Sequence, residues 1–160
     1  SSDVCSSDLR TDELTGLPNR RRLVAELAMY SKTEGALLLL DLDDFKPVND
    51  RYGHEFGDQI LQQVSQRFSR SLPTGAVLAR LGGDEFGVLI NGNYETTLEA
   101  AYALQATLSY PFLIRGQSIT IGVSIGHAHN DGSANLLERA DAAMYEAKRN
   151  KVGVVTSHPK

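Results

Sequence analysis

The stretch RLGGDEFGVLI, residues 80–90, sets two glycines and two consecutive acids between short apolar runs. Val77-Leu78-Ala79 before it and Phe86-Gly87-Val88-Leu89-Ile90 after it read as strands, which makes the segment from Gly82 to Glu85 a turn between them. A solvated hairpin turn accounts for such a composition. So does a carboxylate pair at a turn whose glycines, lacking Cβ atoms, let a ligand approach the backbone.

Outward from the hairpin, two periodicities alternate. Residues 19–30 repeat Leu23, Leu27 and Tyr30 amid Arg and Glu, which predicts an amphipathic helix. Residues 35–42 form a short apolar run ending in acids, a buried strand. Residues 57–72 carry Ile60, Leu61, Val64 and Phe68 at helical spacing. Strands are expected at 76–81 and 86–91, and a helix at 95–109. A strand follows at 118–127, where Ile119, Ile121, Val123 and Ile125 alternate, then a helix at 135–149 and a last strand at 152–156. Strands interleaved with helices predict an α/β fold: a mixed central β-sheet surrounded by helices, in one domain spanning 10–157.

The chain's 160 residues suit one domain with a real core. Its longest apolar run, Ala36 to Leu40, is far shorter than the roughly 18 residues of a membrane span. No signal peptide can be read, and no membrane contact is expected of this domain. A net charge of −4 argues against nucleic acid as a partner and requires metal ions to offset repulsion if an anionic nucleotide binds. The single cysteine, Cys5, excludes an internal disulfide and suits a reducing compartment. It lies in SSDVCSSDL, residues 1–9, which reads as a translated sequencing adaptor, or else as a polar tail; 158–160 is a C-terminal tail.

Acids gather again in LLLLDLDDFKPVND, residues 37–50. Asp41 and Asp43, two apart on a strand, share a face. Carboxylates ending an apolar strand are costly unless solvated or neutralised by a cation. If the hairpin lies beside this strand, Asp84 joins Asp41 in a Mg²⁺ site that leaves positions open for phosphate oxygens. Solvated strand ends and a metal site both remain open on spacing alone.

The sequence as a whole resembles the GGDEF domain (diguanylate cyclase) family. The resemblance rests on GGDEF at 82–86, DELTGLPNRR at 12–21, DLDDFKPVNDRYGHEFGDQIL at 41–61, ITIGVSIG at 119–126 and RADAAMYEAKR at 139–149. It implies a fold like the nucleotidyl cyclase and polymerase palm. It also implies that two GTP condense to cyclic di-GMP plus two pyrophosphates in a head-to-tail homodimer.

The resemblance assigns roles as well. Asp41, the Leu42 carbonyl and Asp84 would hold two Mg²⁺ ions per half-site, with Mn²⁺ as an alternative. Glu85 would deprotonate or orient the attacking hydroxyl. Asn49 and Asp58 would read guanine, Lys46 and Lys148 would contact phosphates, Phe45 and Leu61 would shape the pocket, and Gly82 and Gly83 would admit the nucleotide. His54 is expected to organise its turn, Arg20 to order the N-terminal turn, and His127 with His129 not to form a metal site. An upstream sensory domain and a cytoplasmic location are further implied, whether or not the full-length protein is membrane-anchored.

Two departures qualify the match. Val152 stands where the family usually has an arginine that reaches the triphosphate; neighbouring Lys151 is the candidate substitute, though it is a point charge without a guanidinium fork. Pro73 and Ala76 stand where many members carry the Arg and Asp of a product-inhibition site, so that site is missing; Arg70 and Arg80 could attract a phosphate only loosely. The alternative is a catalytically weak GTP-binding domain that regulates a neighbouring phosphodiesterase domain. A purely structural dimerisation module is the least supported.

Overall fold

The apolar run of β1 (Gly35–Asp43) is buried from Gly35 through Leu40. Unbroken burial on an extended chain requires cover on both faces. The computed structural model provides it, since β1 is the middle of a five-stranded sheet ordered β2-β3-β1-β6-β7. The other strands are β2 (Val77–Gly82), β3 (Glu85–Asn91), β6 (Gly122–His129) and β7 (Val154–Thr156). β1 pairs antiparallel with β3 and β6, β2 with β3 as a hairpin, and β7 parallel to β6, so the sheet is mixed as expected. The structure describes residues 9–30, 32–132 and 135–157. The expected adaptor or tail at 1–9 lies outside them except for Leu9, and so does the tail at 158–160.

Side chains alternate along β1 between two cores. Leu37 and Leu39 pack with Leu23 of α1 (Arg20–Tyr30) and with Ala140 and Met144 of α5 (Leu136–Asn150). Leu38, Leu40 and Leu42 face Ile60, Val64 and Phe68 of α3 (His54–Ser71) and Leu104 of α4 (Tyr94–Thr107). Each fully buried leucine of this kind contributes about 1.5–3 kcal/mol. Helix α5 lies unusually close to the sheet, because a Cβ at Gly126 would collide with the Ala140 carbonyl and the Met144 amide. That close crossing brings the far end of α5 over the last residues of β1.

Two expectations need correction. The strand foreseen at 118–127 is two elements. β5 (Gln117–Ile119) pairs with β4 (Phe112–Ile114) in a separate hairpin, turned by Arg115 and Gly116 at φ 51 and 80. β6 begins only at Gly122. Alternation hid the break, because Ile119 packs against the same core that Ile121 enters. The second correction is α2 (Phe45–Tyr52), an eight-residue helix that periodicity did not predict. Pro47 sits in its first turn, where the missing N–H costs nothing. Phe45, Val48 and Tyr52, spaced i, i+3, i+7, all pack on the core.

His127 is fully buried and ties two elements together. Its Nε2 lies 2.8 Å from Thr97 Oγ1 on α4, and its Nδ1 lies 2.8 Å from Thr156 Oγ1 on β7. Burial, with the nearby His129 and Arg139 charges, pushes it down to about 4, so it is neutral at physiological pH. Its partners are hydroxyls, which makes it a structural tie.

Candidate active site

β1 and the β2–β3 turn end together. Asp41 stands opposite Glu85 in the ladder, and the Leu42 amide donates to the Asp84 carbonyl at 3.1 Å. From α5, Lys148 Nζ reaches Asp41 Oδ2 at 3.1 Å. Burial pushes the Asp41 carboxyl up from its ordinary value; the Lys148 bond opposes this, and the neighbouring Asp84 charge adds to the rise. Burial pulls on Lys148 in the other direction, but its bond to Asp41 and the charges of Asp41, Asp43 and Asp84 outweigh it and hold the ammonium above its usual value. Asp43 is engaged separately, accepting a 2.8 Å bond from the Ser124 hydroxyl.

Asp41 Oδ1 is buried with no hydrogen-bond partner. An orphaned carboxylate oxygen beside a second carboxylate is expensive, and a bound cation is one group that would relieve it. Asp41 and Asp84 are donors of the oxygen type that such an ion takes. Among the described residues no third His, Cys, Asp or Glu side chain converges on them. The remaining ligands would therefore be water or substrate oxygens, an arrangement that suits Mg²⁺.

Arg80 holds the glycine turn in place. Gly82 and Gly83 adopt φ 136 and 51, conformations closed to most side chains, and a bulge separates Arg80 from Gly82. The Arg80 guanidinium donates twice to the Gly83 carbonyl, at 3.1 and 2.8 Å, and once to Asp12 Oδ1 at 2.8 Å. Asp12 also accepts from the amide and hydroxyl of Thr15. Burial alone would raise the Asp12 carboxyl, but the Thr15 and Arg80 interactions outweigh it and hold it below its ordinary value. Arg80 is thus committed to the turn rather than loosely available to a phosphate. Among the described residues, the bonds that order the N-terminal turn come from Asp12, Thr15, Asn19 and Arg80 rather than Arg20. An arginine two residues before the glycines was the available signal, and sequence reasoning missed it.

A cavity of about 710 Å³ opens beside the carboxylates. Its wall includes Asp43, Asp44, Lys148, Lys151, Val152 and Gly153. Glu85, directly opposite Asp41 in the ladder, lines a smaller cavity of about 210 Å³ with Arg20, Glu138 and Asp141. Asn49 and Asp58 gather at the junction of α2 and α3. The Asn49 carbonyl fills space left by Gly57, where a Cβ would strike it, and its Nδ2 lies 3.1 Å from His54 Nδ1. His54 opens α3 and so organises this junction. Asp58 is exposed one residue beyond Gly57, Lys46 is exposed on the first turn of α2, and Phe45 and Leu61 are buried in the core. Pro73 and Ala76 form a tight turn before β2, with the Ala76 amide donating to the Pro73 carbonyl at 3.2 Å.

Residues 9–153 match the family model described as diguanylate cyclase, GGDEF domain. The chain is 40% identical over 152 residues to the cyclic di-GMP phosphodiesterase PdeR of Escherichia coli, covering 89% of this chain and 23% of that protein. It is 39% identical over 153 residues to the diguanylate cyclase DgcP of Pseudomonas aeruginosa, covering 87% and 22% respectively. It thus spans about a fifth of the length of these curated relatives. Among solved structures, the GGDEF domain of TpbB from Pseudomonas aeruginosa superposes with a TM-score of 0.87 at 33% identity, over 92% of this chain and 94% of that one.

Proposed function

The chain belongs to the diguanylate cyclase GGDEF domain family, and from that membership we propose that it condenses two GTP into cyclic di-GMP with release of two pyrophosphates. Each protomer of a head-to-tail homodimer holds one GTP. What supports this is the nearness of Asp41 to Asp84, with one buried Asp41 oxygen left without a partner, and Lys148, which binds Asp41 and also walls the cavity with Lys151.

Asp41, Asp84 and the Leu42 carbonyl hold Mg²⁺, or Mn²⁺ in its place, with two ions per half-site. When bound, these ions neutralise the triphosphate and polarise the α-phosphate toward the partner GTP's 3′-hydroxyl. Lys148 holds Asp41 in place and adds positive charge at the phosphate end of the cavity. Glu85, across the ladder from Asp41, orients or accepts the proton of the attacking hydroxyl. Asn49 and Asp58 read guanine, and Lys46 contacts phosphate. With Pro73 and Ala76 in place of an arginine and an aspartate, the turn before β2 has no grip for cyclic di-GMP, so product feedback at that surface is absent. The domain works in the cytoplasm under an upstream sensory domain of a longer chain.

A second reading is favoured by Val152 and by the phosphodiesterase named among the relatives. In it, the domain binds GTP and regulates an adjoining phosphodiesterase without turnover of its own. A dilution series separates the two. Each protomer supplies one GTP, so the specific activity for cyclic di-GMP should rise with enzyme concentration, and a parallel coiled coil fused ahead of Asp12 should raise it at low concentration. GTP binding without product at any concentration supports the regulator. Activity that stays flat in a demonstrated monomer contradicts the two-half-site mechanism.

A further inference from the structure

The carboxamide of Asn49 is held from two sides. Its Nδ2 lies 3.1 Å from Nδ1 of His54, the first residue of α3. Its carbonyl Oδ1 lies against Gly57, three residues further on, where a Cβ would strike it. An amide nitrogen donates and does not accept, so Nδ1 is the accepting nitrogen and the ring carries its proton on Nε2. The contact therefore has a direction. Turning the amide over would set two acceptors, Oδ1 and Nδ1, face to face and lose the bond. His54 is exposed and belongs to neither apolar core, so packing does not account for its placement.

That direction matters to a purine. With Nδ2 turned to His54, Asn49 keeps its acceptor Oδ1 beside Gly57, the neighbour of Asp58. A carboxylate that takes N1–H and one hydrogen of guanine's exocyclic amine leaves the second amine hydrogen, on the N3 side, in need of an acceptor. Oδ1 is such an acceptor. Adenine and hypoxanthine have only a C–H at that position. A reversed amide would meet the amine with a second donor.

We propose that His54 is a positioning residue for base choice: it holds the Asn49 amide with its oxygen available to the exocyclic amine of guanine, and so favours guanine over purines that lack this amine. The inference rests on the assignment of Asn49 to the base made above.

The test is calorimetry in Mg²⁺ with two unreactive ligands, α,β-methylene GTP and α,β-methylene ITP, whose bases differ only in that amine. The wild type should bind the guanine ligand at least about 10-fold more tightly. His54→Ala should bind it about 10-fold more weakly than the wild type and the inosine ligand within about 2-fold, as expected for one lost hydrogen bond. His54→Asn, whose Oδ1 can accept from Asn49 in place of Nδ1, should restore the preference. In the wild type itself, the nitrogen resonances of the His54 ring should show Nδ1 without its proton; a proton on Nδ1 would overturn the proposal whatever the variants do. So would a His54→Ala variant that binds both ligands like the wild type or loses both equally, or a His54→Asn variant that behaves like His54→Ala. In each of those cases the guanine site stands. If the wild type does not distinguish the two ligands, or binds neither, the assignment of Asn49 to guanine falls and this inference with it.

Discussion

Asp84→Ala and Asp41→Ala are each expected to lower cyclic di-GMP formation about 1,000-fold or more, the scale of several kcal/mol of charge stabilisation lost with a metal ligand. The fold should survive both. Asp84 lies in an exposed turn whose shape is set by glycine conformations and by the Arg80 bonds to Gly83. Asp41 is costly to the metal-free fold. Its carboxyl is raised mainly by burial, with Asp84 adding to the rise against the opposing Lys148 bond, so the native state takes up its proton more readily than the unfolded chain. That group weakens the fold at neutral pH and does so less as pH falls toward the carboxylate range. Asp41→Asn, measured without metal, should therefore gain less stability than the wild type as pH falls from 7 toward the carboxylate range, while being inactive. Near wild-type turnover in any of these variants, by initial rates with GTP and Mg²⁺, would remove the metal assignment.

Nucleotide choice should be nearly as decisive. GTP is expected to exceed ATP in kcat/KM by about 1,000-fold, because a site built to hydrogen-bond one base rejects another that leaves its polar groups unpaired. Guanine offers an N1–H and an exocyclic amine to the Asp58 carboxylate; adenine presents a bare N1 acceptor in the same place. The α2–α3 junction suits this role, since Asn49 is positioned over Gly57 and beside His54 while Asp58 is exposed next to them. Asp58→Ala should narrow the gap to about 10-fold, mostly by loss of GTP activity. Comparable rates with ATP in the wild type would refute the assignment of Asn49 and Asp58 to the base.

The central sheet was legible because its strands announce themselves chemically. LLLL in β1 has no polar residue to turn toward water, and the glycine–acid turn separates β2 from β3 cleanly. Where one element ran into another without a polar break, the pattern failed. The alternating isoleucines from Ile119 to Ile125 conceal a passage from a peripheral hairpin into the sheet. Helix α2 was missed because an eight-residue helix shows little more than two turns, and its proline reads as a breaker unless it falls in the first turn. At the site, the acids were found because carboxylates at strand ends demand an explanation. Two features could not be read from the sequence. The Arg80 bond to Asp12 joins residues 68 apart, and the Lys148 bond to Asp41 depends on how closely α5 crosses Gly126. Long-range pairs of that kind follow from packing, which a one-dimensional pattern does not contain.

The most direct measurement is the product ratio with GTP as sole substrate. The purified domain, at a concentration that favours dimers, is incubated with GTP and Mg²⁺, and cyclic di-GMP is quantified by chromatography with mass detection alongside released pyrophosphate. A diguanylate cyclase yields two pyrophosphates for each cyclic di-GMP, with no product in the Asp84→Ala variant assayed in parallel. Bound GTP that remains intact, or phosphate release without cyclic di-GMP, would contradict the assignment of this chain as a cyclase.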